Sequence, residues 1–152
     1  MASNITAALD VKRPIRTVYN QWTQFESFPL FMEGVERIQQ RDDTHLHWTI
    51  KVGPATREFD ATITEQHPEE RVSWRSDSGP RHGGVVTFHK IDEDTTRVTT
   101  QMDIDPDGVV ENVADKLNIL DHRVHADLKR FKDFIENVPA ETGSWRGDVP
   151  RR

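Results

Sequence analysis

The sequence predicts an α+β domain: a seven-stranded antiparallel sheet with two short helices after the first strand, closed by a long C-terminal helix. Two observations carry this. Val110, Val113, Leu117, Leu120, Val124, Leu128, Phe131 and Ile135 recur at steps of three and four, which puts them on one face of an amphipathic helix running from Asp107 to Val138. Between Val35 and Ile104, by contrast, apolar and polar residues alternate with period two, as in strands that have one dry and one wet face. A long apolar stripe following so many half-buried strands needs a broad sheet to cover, so one core should join them.

Taken in order, Ile5, Ala7, Leu9 and Val11 alternate as a first strand that ends at Arg13 and Pro14. Pro14 suits the start of a helix, where its missing N–H costs nothing, and Ile15, Val18, Trp22 and Phe25 follow at helical steps. Phe28, Phe31 and Met32 continue as a second short turn, interrupted by Pro29 and closed by Gly34. Strands then follow at Val35–Gln40, Leu46–Val52, Glu58–Ile63 and Val72–Trp74. The Gly-rich stretch Ser76–Gly84 reads as a long connection before Val86 and Phe88, and Asp92–Thr95 as a turn into Val98, Thr100, Met102 and Ile104. Residues 1–139 form the expected domain and 140–152 a tail, whose large apolar anchors are Trp145 and Val149.

Composition narrows the function. With 152 residues and 34% hydrophobic content the chain fits one domain with a sizeable core. A formal charge of −6, from 26 acidic and 20 basic residues, argues against a nucleic-acid groove or an anionic membrane patch. Cysteine is absent, which removes disulfides, thiol nucleophiles and cysteine metal sites. Neither a signal-like N-terminus nor a stretch of about eighteen apolar residues occurs, so the expectation is a cytoplasmic protein without integral membrane association.

The Pro14–Trp22 helix start, the aromatic segment Phe25–Met32, the strand RVSWRS from Arg71 to Ser76 and the end DLKRFKDFIE from Asp127 to Glu136 together resemble the START-like (SRPBCC) superfamily. The resemblance is to its polyketide cyclase/dehydrase branch, which includes coenzyme Q-binding and lipid-transfer members. The tail ETGSWRG, from Glu141 to Gly147, is similar to bacterial members of the same group. What the resemblance implies is a helix-grip fold, in which the sheet wraps the C-terminal helix and leaves an elongated hydrophobic cavity. It also implies a hydrophobic small-molecule ligand, such as a polyketide, quinone or lipid, but not which one.

The inward faces of the strands and helix supply the expected ligand contacts: Trp48, Ile50, Phe59, Ala61, Trp74, Phe88, Thr100 and Met102 from the sheet, with Leu117 and Leu120 opposite. Trp22, Phe28 and Phe31 at one end, with Ser76 and the glycine-rich connection, would form the mouth. Mostly apolar walls with a few polar groups are what small-molecule sites offer.

Catalytic signals are sparse. The chain lacks G-x-S-x-G, a P-loop, a dinucleotide fingerprint and H-E-x-x-H. Asp103, Asp105 and Asp107 beside Pro106 and Gly108 read as strand-to-helix capping. His45 with His47, and His122 with His125, give pairs where a zinc site needs three or four ligands, so no metal is expected. Arg75 and Ser73 should point away from Trp74, and His89 away from Phe88. Thr100 and Ser76 remain the inward polar groups, and neither has useful acid or base strength unaided. No catalytic residue and no cofactor is assigned, and oligomeric state is not readable. Binding or transfer of a hydrophobic ligand therefore ranks ahead of an aromatase/cyclase or dehydratase, and ahead of a protein-interaction module with a vestigial cavity.

Overall fold

A computed structural model describes residues 3–52, 54–105 and 115–150. Strand β1 (Ser3–Val11) leads into helix α1 (Ile15–Trp22) and a single 3-10 segment (Phe25–Leu30). Strands β2 (Val35–Gln40), β3 (His45–Val52), β4 (Ala55–His67), β5 (Arg71–Ser76), β6 (His82–Asp92) and β7 (Thr95–Ile104) follow, and helix α2 (Lys116–Asn137) closes the order. The expected helix began at Asp107; that residue, with Val110 and Val113, lies outside the described residues.

The seven strands form one antiparallel sheet in the order β1-β7-β6-β5-β4-β3-β2. Strands β2 to β7 are a meander, and β1 returns to pair with β7 from Ser3↔Ile104 to Val11↔Thr96. The two sheet edges are therefore β1 and β2, and α1 with the 3-10 segment carries the chain from one to the other.

Alternation places the core. Leu46, Trp48 and Ile50 on β3, Phe59, Ala61 and Ile63 on β4, Val86 and Phe88 on β6, and Val98, Met102 and Ile104 on β7 are all buried. They face Leu120, Val124, Leu128, Phe131 and Ile135 of α2. Leu117 departs from the expected inward set: it shares the angular face of that stripe but sits in the first turn of α2 and is 46% exposed. The far end of α2 is fixed by Arg13, whose guanidinium donates to the carbonyls of Ile135, Glu136 and Val138 at 2.9, 2.7 and 3.1 Å. These are carbonyls that a helix C-terminus leaves without an internal partner, and a cation there also suits the helix dipole.

Three local departures from the expected elements matter. A register shift between Ile63 and Glu65 changes the parity of β4, so Gln66 is buried. Ser73 points to the outer sheet face as expected, but is buried there, where its hydroxyl meets that of Thr64 at 2.8 Å. And the glycine-rich connection is shorter than Ser76–Gly84, because His82, Gly83 and Gly84 belong to β6. A Cβ on Gly84 would lie 2.8 Å from Met102 Sδ and one on Gly83 2.9 Å from the Trp74 carbonyl, so glycine lets the neighbouring strands close up.

The tail is part of the fold rather than an appendage. Gln21 donates to Thr142 Oγ1 at 3.0 Å and accepts from the Thr142 N–H at 2.9 Å, while the Trp145 N–H donates to Thr23 Oγ1 at 2.9 Å. Arg146 donates to Asn20 Oδ1 at 2.6 Å, pairs with Glu69 and lies over the Tyr19 ring. Val149 is buried and exchanges backbone hydrogen bonds with Gln66 at 2.8 and 2.9 Å. That stretch of β4 outruns β3, whose pairing with β4 ends at His45↔Thr62.

Candidate functional site between the sheet and helix α2

The segment after the 3-10 turn brings polar groups to the edge of the apolar interior. Gly34 has φ +88°, a left-handed conformation that glycine adopts without steric cost, and its carbonyl accepts the Lys51 N–H at 2.7 Å. The turn is tied to α2 by Asp127, whose carboxylate accepts the Glu33 N–H at 3.0 Å, and by Arg130, which donates to the Phe31 carbonyl at 3.1 Å and pairs with Asp127.

A cavity opens here between the concave sheet face and α2. Of the expected contacts, Trp22, Ile50, Trp74, Thr100, Met102 and Leu120 line it. Phe28, Phe31, Trp48, Phe59, Ala61 and Phe88 do not line it, although all are buried. They fill the interior instead: Trp48 stacks on Phe59 and Trp74 with ring centroids 5.6 and 5.9 Å apart, Trp22 packs on Phe28, Phe31 and Phe131, and Phe88 meets Tyr19 edge-on at 5.3 Å. Ser76 is also absent from the lining; its hydroxyl accepts the His82 N–H at 3.1 Å. Leu117 is exposed and outside the lining.

Because aromatic side chains occupy so much of the interior, the cavity volume is about 50 Å³. That is room for a few water molecules, well below the roughly 300–1,000 Å³ of pockets that enclose drug-sized ligands.

The remaining lining includes groups the sequence did not single out. Met32, Glu33, Gly34 and Val35 come from the turn, His82 and Val86 from β6, Ile104 from β7, and Arg123, Val124, Asp127 and Leu128 from α2. Arg123 and Asp127 are one turn apart and flank the apolar stripe directly before Val124 and Leu128. That i, i+4 charged pair was the available signal. His82 was hidden by reading its segment as a loop.

The electrostatics of these groups differ sharply. His82 is 7% exposed and packed against both Trp48 and Phe59, at 4.8 and 5.3 Å, and burial pulls its pKa down to about 4. Burial pushes Asp127 the other way, up to about 6, against the opposing pull of the Glu33 N–H and of Arg130 and Arg123. Arg123 Nη1 and Trp22 Nε1 are buried with no hydrogen-bond partner among the described residues. Thr100 Oγ1 donates to the Ala7 carbonyl at 3.4 Å. The other histidines stand elsewhere: His47 bridges Asp60 and Glu58 at 2.8 Å each, His45 meets Asp42, His125 meets the Asp121 carbonyl, and His89 is exposed.

Residues 11–133 match the family described as polyketide cyclase/dehydrase and lipid transport. The chain belongs to this family. It is 53% identical over 148 residues to a Streptomyces lincolnensis protein named as an uncharacterized 17.2 kDa protein in the melC2-rnhH intergenic region, covering 97% of this chain and 99% of that one. Among solved structures, a START superfamily protein from Mycobacterium smegmatis superposes with a TM-score of 0.68 at 11% identity, covering 88% of this chain and 97% of its own. The Zhui aromatase/cyclase from Streptomyces sp. R1128 does so at 0.70 and 12%, covering 90% and 94%. At those identities the likeness is one of fold, and the helix-grip arrangement is the START-like one. No helix among the described residues is long and apolar enough to cross a membrane.

Proposed function

We propose that this START-like domain binds a hydrophobic or amphipathic small molecule, of polyketide, quinone or lipid type, between its sheet and α2, and holds or transfers it. The supporting observation is the cavity wall itself. Trp22, Ile50, Trp74, Val86, Met102 and Val124 form an apolar surface, and polar side chains converge on it at the Glu33–Gly34 turn and at His82. Such walls give affinity by burial and orientation by the few polar groups.

A ligand larger than a few waters must displace side chains. Met32 and Met102, unbranched and with several rotatable bonds, are suited to yield. The test is a titration with fatty acids, quinones and flat aromatic polyketides followed by tryptophan emission, since Trp22 and Trp74 border the space. Saturable binding at one ligand per chain, lost in a folded Val124→Phe variant, is the expected result. No response to any of them would leave the protein-interaction reading in its place.

One observation favours catalysis as a second reading. Asp127, with its pKa near 6 beside the cavity, can exchange a proton near neutral pH as an unperturbed aspartate cannot. If a cyclase or dehydratase activity resides here, a reactive poly-β-ketone gives a protein-dependent product pattern that Asp127→Asn removes while binding persists.

A further inference from the structure

Resting on the ligand-binding reading, we infer that the cavity selects molecules with an acidic oxygen head, a carboxylate or the enol of a 1,3-dicarbonyl, and that Arg123 receives it. Two donors at the cavity wall lack acceptors among the described residues. Arg123 Nη1 and Trp22 Nε1 belong to lining residues, and both atoms are buried without a hydrogen-bond partner among the described residues. Guanidinium and indole nitrogens donate and cannot accept. His82 also belongs to the lining; its Nδ1 faces the Trp74 N–H at 3.4 Å and must accept, so the neutral ring carries its proton on Nε2 and offers no second acceptor.

The two carboxylates of the lining do not relieve Arg123: Asp127 Oδ1 already takes the Glu33 N–H and Arg130, and the Glu33 carboxylate lies 3.6 Å from Arg130. A buried donor with no acceptor carries a desolvation penalty, and the penalty is largest for a charged group. A ligand oxygen removes it; a hydrocarbon end does not. Gly34 lies beside the guanidinium: a Cβ there would stand 3.4 Å from Nη1, at contact distance.

The experiment compares matched probes on the full chain by calorimetry at neutral pH: octanoate against methyl octanoate, and an aryl 1,3-diketone against the corresponding aryl monoketone. The expected result is at least tenfold tighter binding of one acidic member over its neutral partner. In Arg123→Met that ratio should fall to near one while the neutral probe keeps its affinity, and Arg123→Lys should restore part of it. A preference in the first pair assigns a fatty-acid-type head, and in the second a 1,3-dicarbonyl. Equal binding within both pairs overturns the inference while leaving the ligand-binding reading intact, and so does an equal loss of both members in Arg123→Met. Failure of all four probes to bind removes both readings together.

Discussion

The indole N–H of Trp74 donates to Nδ1 of His82 across 3.4 Å, joining two aromatic rings in the interior of the sheet. This contact requires an unprotonated Nδ1, in keeping with the depressed pKa of the ring.

Acid sensitivity follows from it. The folded pKa of about 4 lies below the value near 6.5 that the unfolded chain has, so the unfolded state takes up the proton first. The contribution is complete above pH 6.5 and is lost as pH falls towards 4, amounting to about 3 kcal/mol. Urea unfolding of His82→Phe should show a loss of about 1 kcal/mol at pH 7, from the orphaned Trp74 N–H, and a gap that closes or reverses near pH 4.

Deleting residues 140–152 should be costly. Asn20, Gln21 and Thr23 are at most 3% exposed and take hydrogen bonds from or give them to the tail. Burial of Val149 is worth roughly 1.5–3 kcal/mol, and each polar group of α1 left without its partner costs about 1 kcal/mol or more. Chemical denaturation should therefore report a loss of at least about 3 kcal/mol. A change under 1 kcal/mol would show that the tail only rests on the surface.

Gly34→Ala should destabilise by about 1–3 kcal/mol, because a Cβ at φ +88° is strained; it would also stand at contact distance from Arg123. Thermal unfolding measures the cost. The same variant should weaken any ligand that depends on Arg123 more than one held by apolar contact alone.

How legible these features were depended on their range. Period-two alternation set the strands, and the three-four stripe set α2, because each reports which face meets the core. Local geometry was harder to read. Gly83 and Gly84 looked like a loop, yet they sit in β6 where close strand approach excludes a Cβ. Trp48, Phe28, Phe31 and Phe59 were expected to border a ligand, but alternation says only that a side chain is inside. Whether it meets a ligand or another ring depends on volumes summed across the whole interior. Arg123 and Asp127 were not singled out, since their placement depends on the Glu33–Gly34 turn, some ninety residues earlier in the chain. Of the tail only the apolar anchors Trp145 and Val149 were read, because its further hold on α1 and β4 is made by polar and backbone groups, which hydropathy does not register.

The overhang of β4 beyond β3 has a consequence for the protein in a crowded solution. Unpaired strand backbone is a template on which another chain can add, and a sheet that leaves it bare invites intermolecular pairing and aggregation. At Gln66 the place beside β4 is taken by Val149 through its own N–H and C=O. His67, next along, is bracketed by Glu65 and the tail's Asp148, and both pairings hold its pKa above the ordinary histidine value. That hold is complete below the unfolded histidine pKa and weakens as pH rises through the higher folded one. The C-terminal tail thus occupies this stretch of strand edge itself, and holds it most firmly in mild acid.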